Sequence, residues 1–407
     1  MTTFTLGHQL KLDSLEHTQP HLDRLRQLGP NVEEVRFGGN TLGIEACEGV
    51  AKELEDKREL RIADFSDIFT GRLITEIPQS LRALCTSLLT LPLLTELDLS
   101  DNAFGGRSAE PMLDFISSAP SLEILRLNNN GMGPQGGAMI AGALLENAKK
   151  AEKEGRKSKL RVLVCEDEWL MQLEDGSTGR NRLENGSAPD FAAAFSALTT
   201  LAEVRMPQNG IRMEGIEAIV KGLQKNPNLQ WLDLQDNTAT EKGSRAIAES
   251  LPFWPKLRIL NLSDCLLRPR GGLSIFTTLL SGSNPLLTSL KLQSNELDTR
   301  AITQLAAAIA LHGEHLTDLE LNGNYGVDGT EEEYEKVREA LGKWDHEDAL
   351  DELDELEEPE EEEEEEESEK EAEVEEEEEK PEVKEETKEE KKEEDELAGL
   401  MDKVHIA

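Results

Sequence analysis

The sequence predicts an α/β solenoid, a strand-and-helix unit repeated along one parallel sheet, followed by an acidic segment that does not fold. Three observations predict it. A short pattern, apolar-x-apolar-x-x-Asn, recurs along residues 1–344. The stretches between its copies carry apolar residues three and four apart, the spacing of a helix with one buried face. Residues 345–407 hold 35 Asp and Glu against 7 Lys and almost no aromatic side chain.

The strands come first in the argument. LDLSDN ends at Asn102, LRLNNN at Asn130, VRMPQN at Asn209, LDLQDN at Asn237, LNLSDC at Cys265, LKLQSN at Asn295 and LELNGN at Asn324. Two weaker copies precede them, VRFGGN at Asn40 and ADFSDI with Ile68 in the Asn slot, and LKLDSL at 10–15 reads as a cap. With Asn181 taken as a further slot, the intervals are 28, 34, 28, 51, 28, 28, 28, 30 and 29 residues. A period of 28–29 residues is the long, ribonuclease-inhibitor-like class of leucine-rich repeat, in which a full helix follows each strand. GIEACEGVAKEL, PQGGAMIAGALLENA, GIEAIVKGLQ and RAIAESL fit those helices. Ten or eleven units would fill residues 1–344 as a horseshoe with helices on its convex face.

Burial explains the pattern. Alternate strand residues such as Leu97 and Leu99 point into the stack, while Asp98 and Ser100 face the concave surface. The slot Asn satisfies turn amides that the ending strand leaves unpaired. Cys265 in that slot reads as a structural substitute, not a reactive thiol.

Composition narrows the function classes. Acids outnumber bases 84 to 43 for a net charge of −41, of which −28 falls in 345–407 and −13 in 1–344. A general nucleic-acid binder is excluded, because phosphate affinity comes from Lys and Arg. Cys47, Cys85, Cys165 and Cys265 are far apart, so neither a zinc cluster nor a disulfide framework is supported. The N-terminus lacks a signal peptide's basic start and apolar core, and no run of about 18 apolar residues occurs. A soluble protein of a reducing compartment is expected. No G-x-S-x-G or P-loop pattern appears, which argues against a self-contained enzyme.

Three polar groups stand just beyond the strand ends. In SDIFTGR, residues 66–72, Arg72 follows four positions after the Ile68 slot. In NNNGMGP, Asn130 is the scaffold residue, so Asn128 and Asn129 are surplus to the repeat. In GRNRLENGS, residues 179–187, Arg182 follows the slot residue Asn181. With strands about 4.8 Å apart, Arg72 and Arg182 would lie roughly 15 Å apart along one rim. On spacing alone, Arg72 reads equally as a solvated cation on an exposed turn, and Asn129 as a turn residue. Asp67, Asp101, Asp236 and Asp264, each preceding a slot, read either as turn supports or as an acidic edge for a basic partner.

SDIFTGR, LSDNAFG (99–105), NNGMGPQ (129–135), GRNRLENGS, QNGIR (208–212) and LDLQDNT (232–238), followed by the glutamate-rich tail, resemble the fungal Ran GTPase-activating protein family over nearly the whole chain. The resemblance implies a GTPase activator, not an enzyme: hydrolysis occurs in the small GTPase Ran, and GTP and Mg²⁺ belong to Ran, with no cofactor of the chain's own. The family works without an arginine finger. By resemblance, Arg72 supports catalysis through the interface, Asn129 orders the GTPase switch region and Arg182 joins them. Asn128, Asp67, Asp101, Asp236 and Asp264 would contact the partner. The implied partner is Ran-GTP, with a Ran-binding protein as a candidate accessory, in the cytoplasm and concentrated at the nuclear periphery. A capped solenoid is expected to be a monomer.

One motif departs from the family pattern. Cys165 is followed by EDEWLMQLEDGST, residues 166–178, before Gly179 resumes the motif. The segment reads as a real acidic loop or as a retained intron of 39 nucleotides, whose GT and AG ends the codons at Cys165–Glu166 and Thr178–Gly179 permit; the reading favours the intron. Two rival functions share the layout. An acidic leucine-rich-repeat binder of histones or other basic proteins has a similar tail but shorter repeats. A ribonuclease-inhibitor-like module has similar repeats but is rich in Cys and Trp, and this chain has four of each.

Overall fold

The computed structural model describes residues 1–165, 181–326, 331–353 and 356. In chain order the strands are Thr3–Thr5 (β1), Lys11–Leu12 (β2), Glu34–Arg36 (β3), Thr41–Leu42 (β4), Ile62–Asp64 (β5), Glu96–Asp98 (β6), Ile124–Arg126 (β7), Val162–Val164 (β8), Glu203–Arg205 (β9), Trp231–Asp233 (β10), Ile259–Asn261 (β11), Ser289–Lys291 (β12) and Asp318–Glu320 (β13). All but β2 and β4 form one eleven-stranded sheet in sequence order, with every pairing parallel. Parallel neighbours need a crossover, and helices provide it. They are Leu15–Gln27 (α1), Ile44–Leu54 (α2), Ile77–Leu88 (α3), Glu110–Ser118 (α4), Gly133–Lys153 (α5), Glu184–Leu198 (α6), Met213–Leu223 (α7), Thr240–Ser250 (α8), Arg268–Leu280 (α9), Thr299–His312 (α10) and Glu331–Gly342 (α11).

The period-two strands and period-3.6 helices meet in one continuous core. The middle residue of each strand, such as Ala63, Leu97, Leu125, Leu163 and Val204, is fully buried. These residues also pair directly across the sheet, Ala63 with Leu97 and Leu97 with Leu125. From the helices, α2 presents Ala46, Cys47, Val50, Ala51 and Leu54, one stripe at the predicted spacing. The 51-residue interval leaves the register intact, since Leu125 pairs with Leu163 and Leu163 with Val204. The segment 166–178 itself lies outside the described residues.

The slot asparagines form a hydrogen-bonded ladder. The backbone N–H of Asn102 donates to Asn130 Oδ1, that of Asn130 to Asn181 Oδ1, and that of Asn295 to Asn324 Oδ1 (3.0–3.1 Å). Each carboxamide N–H₂ turns to strand-end carbonyls, as Asn102 Nδ2 does to Phe65 O and Leu99 O. The ladder thus meets, without water, backbone groups that the short strands leave unpaired. Ile68 supplies no carboxamide, and the N–H of Asn40 donates instead to the Asp67 carbonyl at 3.1 Å. Cys265 substitutes structurally: it is fully buried, its Sγ donates to Leu234 O at 3.2 Å, and burial raises its pKa.

The LKLDSL segment, read as a cap, supplies β2, which pairs with β4 in a two-stranded ribbon, and the first strand of the main sheet is β1. One expectation is corrected. The division at 344/345 falls too early. Residues 1–358 form one compact unit, and Leu350 pairs with Leu319 of β13. The tail expected to be unfolded lies outside the described residues from 357 onward.

Candidate functional site

Among the described residues, the one before each slot adopts a left-handed backbone. Gly39, Asp67, Asp101, Asn129, Gln208, Asp236, Asp264, Ser294 and Gly323 all have φ between +46° and +71°. Only Gly is unstrained there, and Asn and Asp are the next best tolerated. The four rim aspartates and Asn129 therefore have a backbone reason to be where they are, and the same turn aims their side chains outward in a row. Their N–H groups are held by the next repeat: Asp67 donates to Ser100 O, Asp101 to Asn128 O, Asp236 to Ser263 O and Asp264 to Gln293 O, each at 2.9 Å.

Within that row two sequence-predicted residues meet. Asn129 Nδ2 donates to Asp101 Oδ1 at 3.0 Å, which fixes the carboxamide. Further along, Asp264 is exposed, and its pKa is raised by partial desolvation and then by the neighbouring Asp236 carboxylate. The row is a negative edge with adjacent acids, as a basic partner requires. Asn128 does not join it. At 2% exposure it is part of the turn, with Asp101 N–H on its carbonyl and its own N–H on Ser100 Oγ, so its description as surplus to the repeat is corrected. Ser100 is likewise buried at 4% instead of open on the concave face.

The two arginines differ in kind. Arg72 is no solvated cation on an exposed turn: its side chain is only 10% exposed and folds back onto the preceding repeats. Arg72 Nη1 pairs with Asp13 Oδ1 at 2.6 Å, and Nη2 donates to Thr41 O at 3.2 Å and Leu12 O at 3.4 Å. The guanidinium thereby ties the ends of β2 and β4 to the loop after β5. The arginine hydrogen bond holds the Asp13 carboxyl below its usual pKa. Gly43 leaves room for this arrangement, since a Cβ there would stand 2.9 Å from Asp13 O and 3.4 Å from Arg72 Nη1. Asp13 was not legible in the sequence, because nothing in its local pattern marks a partner two repeats away.

Arg182 is exposed and directly follows its slot Asn, again with a left-handed backbone at φ +50°. At the same position the repeats on either side carry Gly131 at φ +61° and Gly210 at φ +65°. Glycine flanks it where glycine is the easy solution, so Arg182 accepts strain and projects between two bare positions. Strand order puts β5, which precedes Arg72, and β8, which precedes Arg182, three repeats apart on the same rim.

The adjoining concave face carries Asp64, Asp98 and Arg126 side by side on β5, β6 and β7. Burial, with the Asp64 charge adding to it, pushes the Asp98 carboxyl up to about 6, against hydrogen bonds from Ser100. Farther along, Arg205 lies 4.6 Å over the Trp231 ring. Burial also pushes the thiols of Cys47, Cys85 and Cys165 up to about 12, which makes them poor nucleophiles. Among the described residues no group of three or more His, Cys, Asp or Glu side chains is placed to hold a metal ion, and no helix is long and apolar enough to cross a membrane.

Comparison with known proteins adds the family context. A family model described as Leucine Rich repeat matches residues 90–113 and 118–141. The chain is 37% identical over 327 residues to Ran GTPase-activating protein 1 of Saccharomyces cerevisiae, covering 78% of this chain and 77% of that one. It is 39% identical over 208 residues to Ran GTPase-activating protein 1 of Xenopus laevis, half of this chain but only 33% of that protein. Similarity to the ribonuclease inhibitor of Sus scrofa, 25% over 362 residues, extends across 75% of each chain.

Proposed function

The chain belongs to the Ran GTPase-activating protein family, and on that premise we propose that it binds Ran-GTP along this rim and accelerates GTP hydrolysis within the GTPase. The observation that carries the reading is similarity along most of both chains to a Ran GTPase-activating protein, in a molecule whose rim presents Asn129, Arg182 and the acidic row together. Catalysis is then ordering of the partner's own site. The GTPase's glutamine aligns the attacking water, its Mg²⁺ and GTP are its own, and this chain contributes no cofactor.

The burial of Arg72 supports a role without an arginine finger. A finger must insert its guanidinium at the transferring phosphate, whereas Arg72 is spent on Asp13 and two backbone carbonyls. Asn129 orders the switch region, a role supported by the hold that Asp101 has on its amide nitrogen. Arg182 steers and anchors the same partner. The working form is a monomer in the cytoplasm, concentrated at the nuclear periphery, and a Ran-binding protein can join the complex.

Single-turnover hydrolysis by purified Ran-GTP tests this directly. The intact chain is expected to accelerate hydrolysis by roughly 10⁵, about 7 kcal/mol of barrier. Arg182→Ala should lower that rate by about tenfold, far short of the 10³-fold or more that removal of a finger costs. A folded chain that leaves the intrinsic rate of Ran unchanged would sink the activator reading.

A further inference from the structure

We infer that the exposed apolar pair Leu73–Ile74 is a contact surface for the GTPase, and that Asp13, acting through Arg72, is the positioning residue that presents it. This rests on the activator reading above. Leu73 is 67% exposed and Ile74 57%, adjacent large apolar side chains on the loop between β5 and α3. Two adjacent large apolar side chains left in water make a small patch that a partner can cover with a gain in apolar burial.

The loop around them is built to hold its shape. Gly71, at φ +77°, reverses the chain so that Arg72 points back and Leu73 points out. Arg72 N–H donates to Phe69 O and Glu76 N–H to Leu73 O, each at 2.9 Å, closing successive turns. Thr41 Oγ1 donates to Thr70 O at 3.1 Å and Leu42 N–H to Ile68 O at 2.9 Å, stitching the loop to β4. Arg72 then clamps it through Asp13 and the carbonyls of Leu12 and Thr41. A pinned loop with an apolar tip loses little conformational entropy on binding, which is what a contact surface needs.

The occupant follows from continuity. The tip stands on the rim that carries Asp67 and, in the next repeats, Asp101 and Asn129. A partner seated on that acidic row is the one positioned to cover Leu73 and Ile74. An apolar anchor beside charged residues is the usual composition of an interface centre and its rim.

The test titrates the full chain against Ran-GTP under single-turnover conditions, reading the half-saturating concentration and the saturating rate separately. Leu73→Ser/Ile74→Ser is expected to raise the half-saturating concentration tenfold or more, leave the saturating rate within twofold, and leave the melting temperature unchanged or higher. Asp13→Asn should raise the half-saturating concentration about three- to tenfold at an unchanged saturating rate, and Asp13→Glu should restore most of the loss. A merely structural Asp13 would lower the melting temperature without that split. Unaltered half-saturation in the double variant, with an active wild type, overturns the contact surface alone, and unaltered half-saturation in Asp13→Asn overturns the clamp. A wild-type chain without activity overturns the activator reading and this inference together.

Discussion

At the scale of single residues, the concave face holds a carboxylate whose environment works against its charge. Asp98 titrates near 6 in the fold against an ordinary 3.8, because burial and then Asp64 disfavour the ionised form. A carboxylate raised in this way binds its proton more tightly folded than unfolded. Stability is therefore gained as pH falls through 6, is complete below 3.8, and is lost again on the way up. Asp98→Asn keeps an oxygen for the Ser100 N–H that Asp98 Oδ1 accepts at 2.9 Å, and removes the charge. The variant should be about 2 kcal/mol more stable than the parent at pH 7.5 and equal to it near pH 4, as read by urea unfolding at the two pH values. Equal stabilities at both would show that solvent already screens the site. The slot Asn and the αL-tolerant Asp or Asn before it were legible from residue type, since few side chains suit either place. The raised Asp98 was not, because it needs the facing residues of two other repeats.

At the scale of elements, strands and helices were legible wherever a period repeats, and less so where a single close approach decides. Gly222 of α7 is such a place: a Cβ there would stand 2.6 Å from Ala192 O and 2.7 Å from Ala192 Cα of α6. Backbone atoms cannot yield as side chains do, so Gly222→Ala should cost about 1–3 kcal/mol despite its better helix propensity. Gly142 on α5 meets nothing within 4 Å, and Gly142→Ala should stabilise by about 0.5–1 kcal/mol. Thermal denaturation of the pair checks the contrast, and shifts of the same sign would refute it. A second element-level break lies in the slot ladder, where Asn209 Oδ1 is buried with no partner among the described residues while Nδ2 donates to Cys165 O and Pro207 O. Asn209 belongs to the repeat that follows the 166–178 segment. Deleting 166–178 brings L-V-C-G-R-N into register, so the shortened chain is expected to keep full activity towards Ran and to melt several degrees higher. Loss of activity on deletion would mark the segment as a working loop.

At the scale of the whole molecule, a solenoid must close the edge that its last strand exposes, or it offers a template for other chains. Residues just past α11 do this. Asp351 N–H donates to Leu319 O at 3.0 Å, and the Asp351 carboxylate accepts the N–H groups of Leu321 at 2.9 Å and Asn322 at 3.1 Å. Leu350, Leu353 and Leu356 lie against the end of the core, and Trp344 Nε1 donates to Ile309 O at 2.8 Å. Charge concealed this cap in the sequence: DALDELDEL reads as the start of the acidic tail, although its leucines fall where β13 needs a cover. Asp351 thus gives Leu321 N–H an acceptor where, one repeat earlier, the Glu320 carbonyl takes the N–H of Leu292. Asp351→Ala should cost about 1–3 kcal/mol, the loss of an acceptor for two partly buried amides. Hydrogen exchange should show the amides of Leu321 and Asn322 speeding up, while those of β9 and β10 keep their protection. A chain ended at 344 should go further and self-associate through β13, whereas one ended at 358 should stay monomeric. If the 344 and 358 chains sediment alike and protect β13 equally, the cap is ornamental and the fold closes its edge by other means.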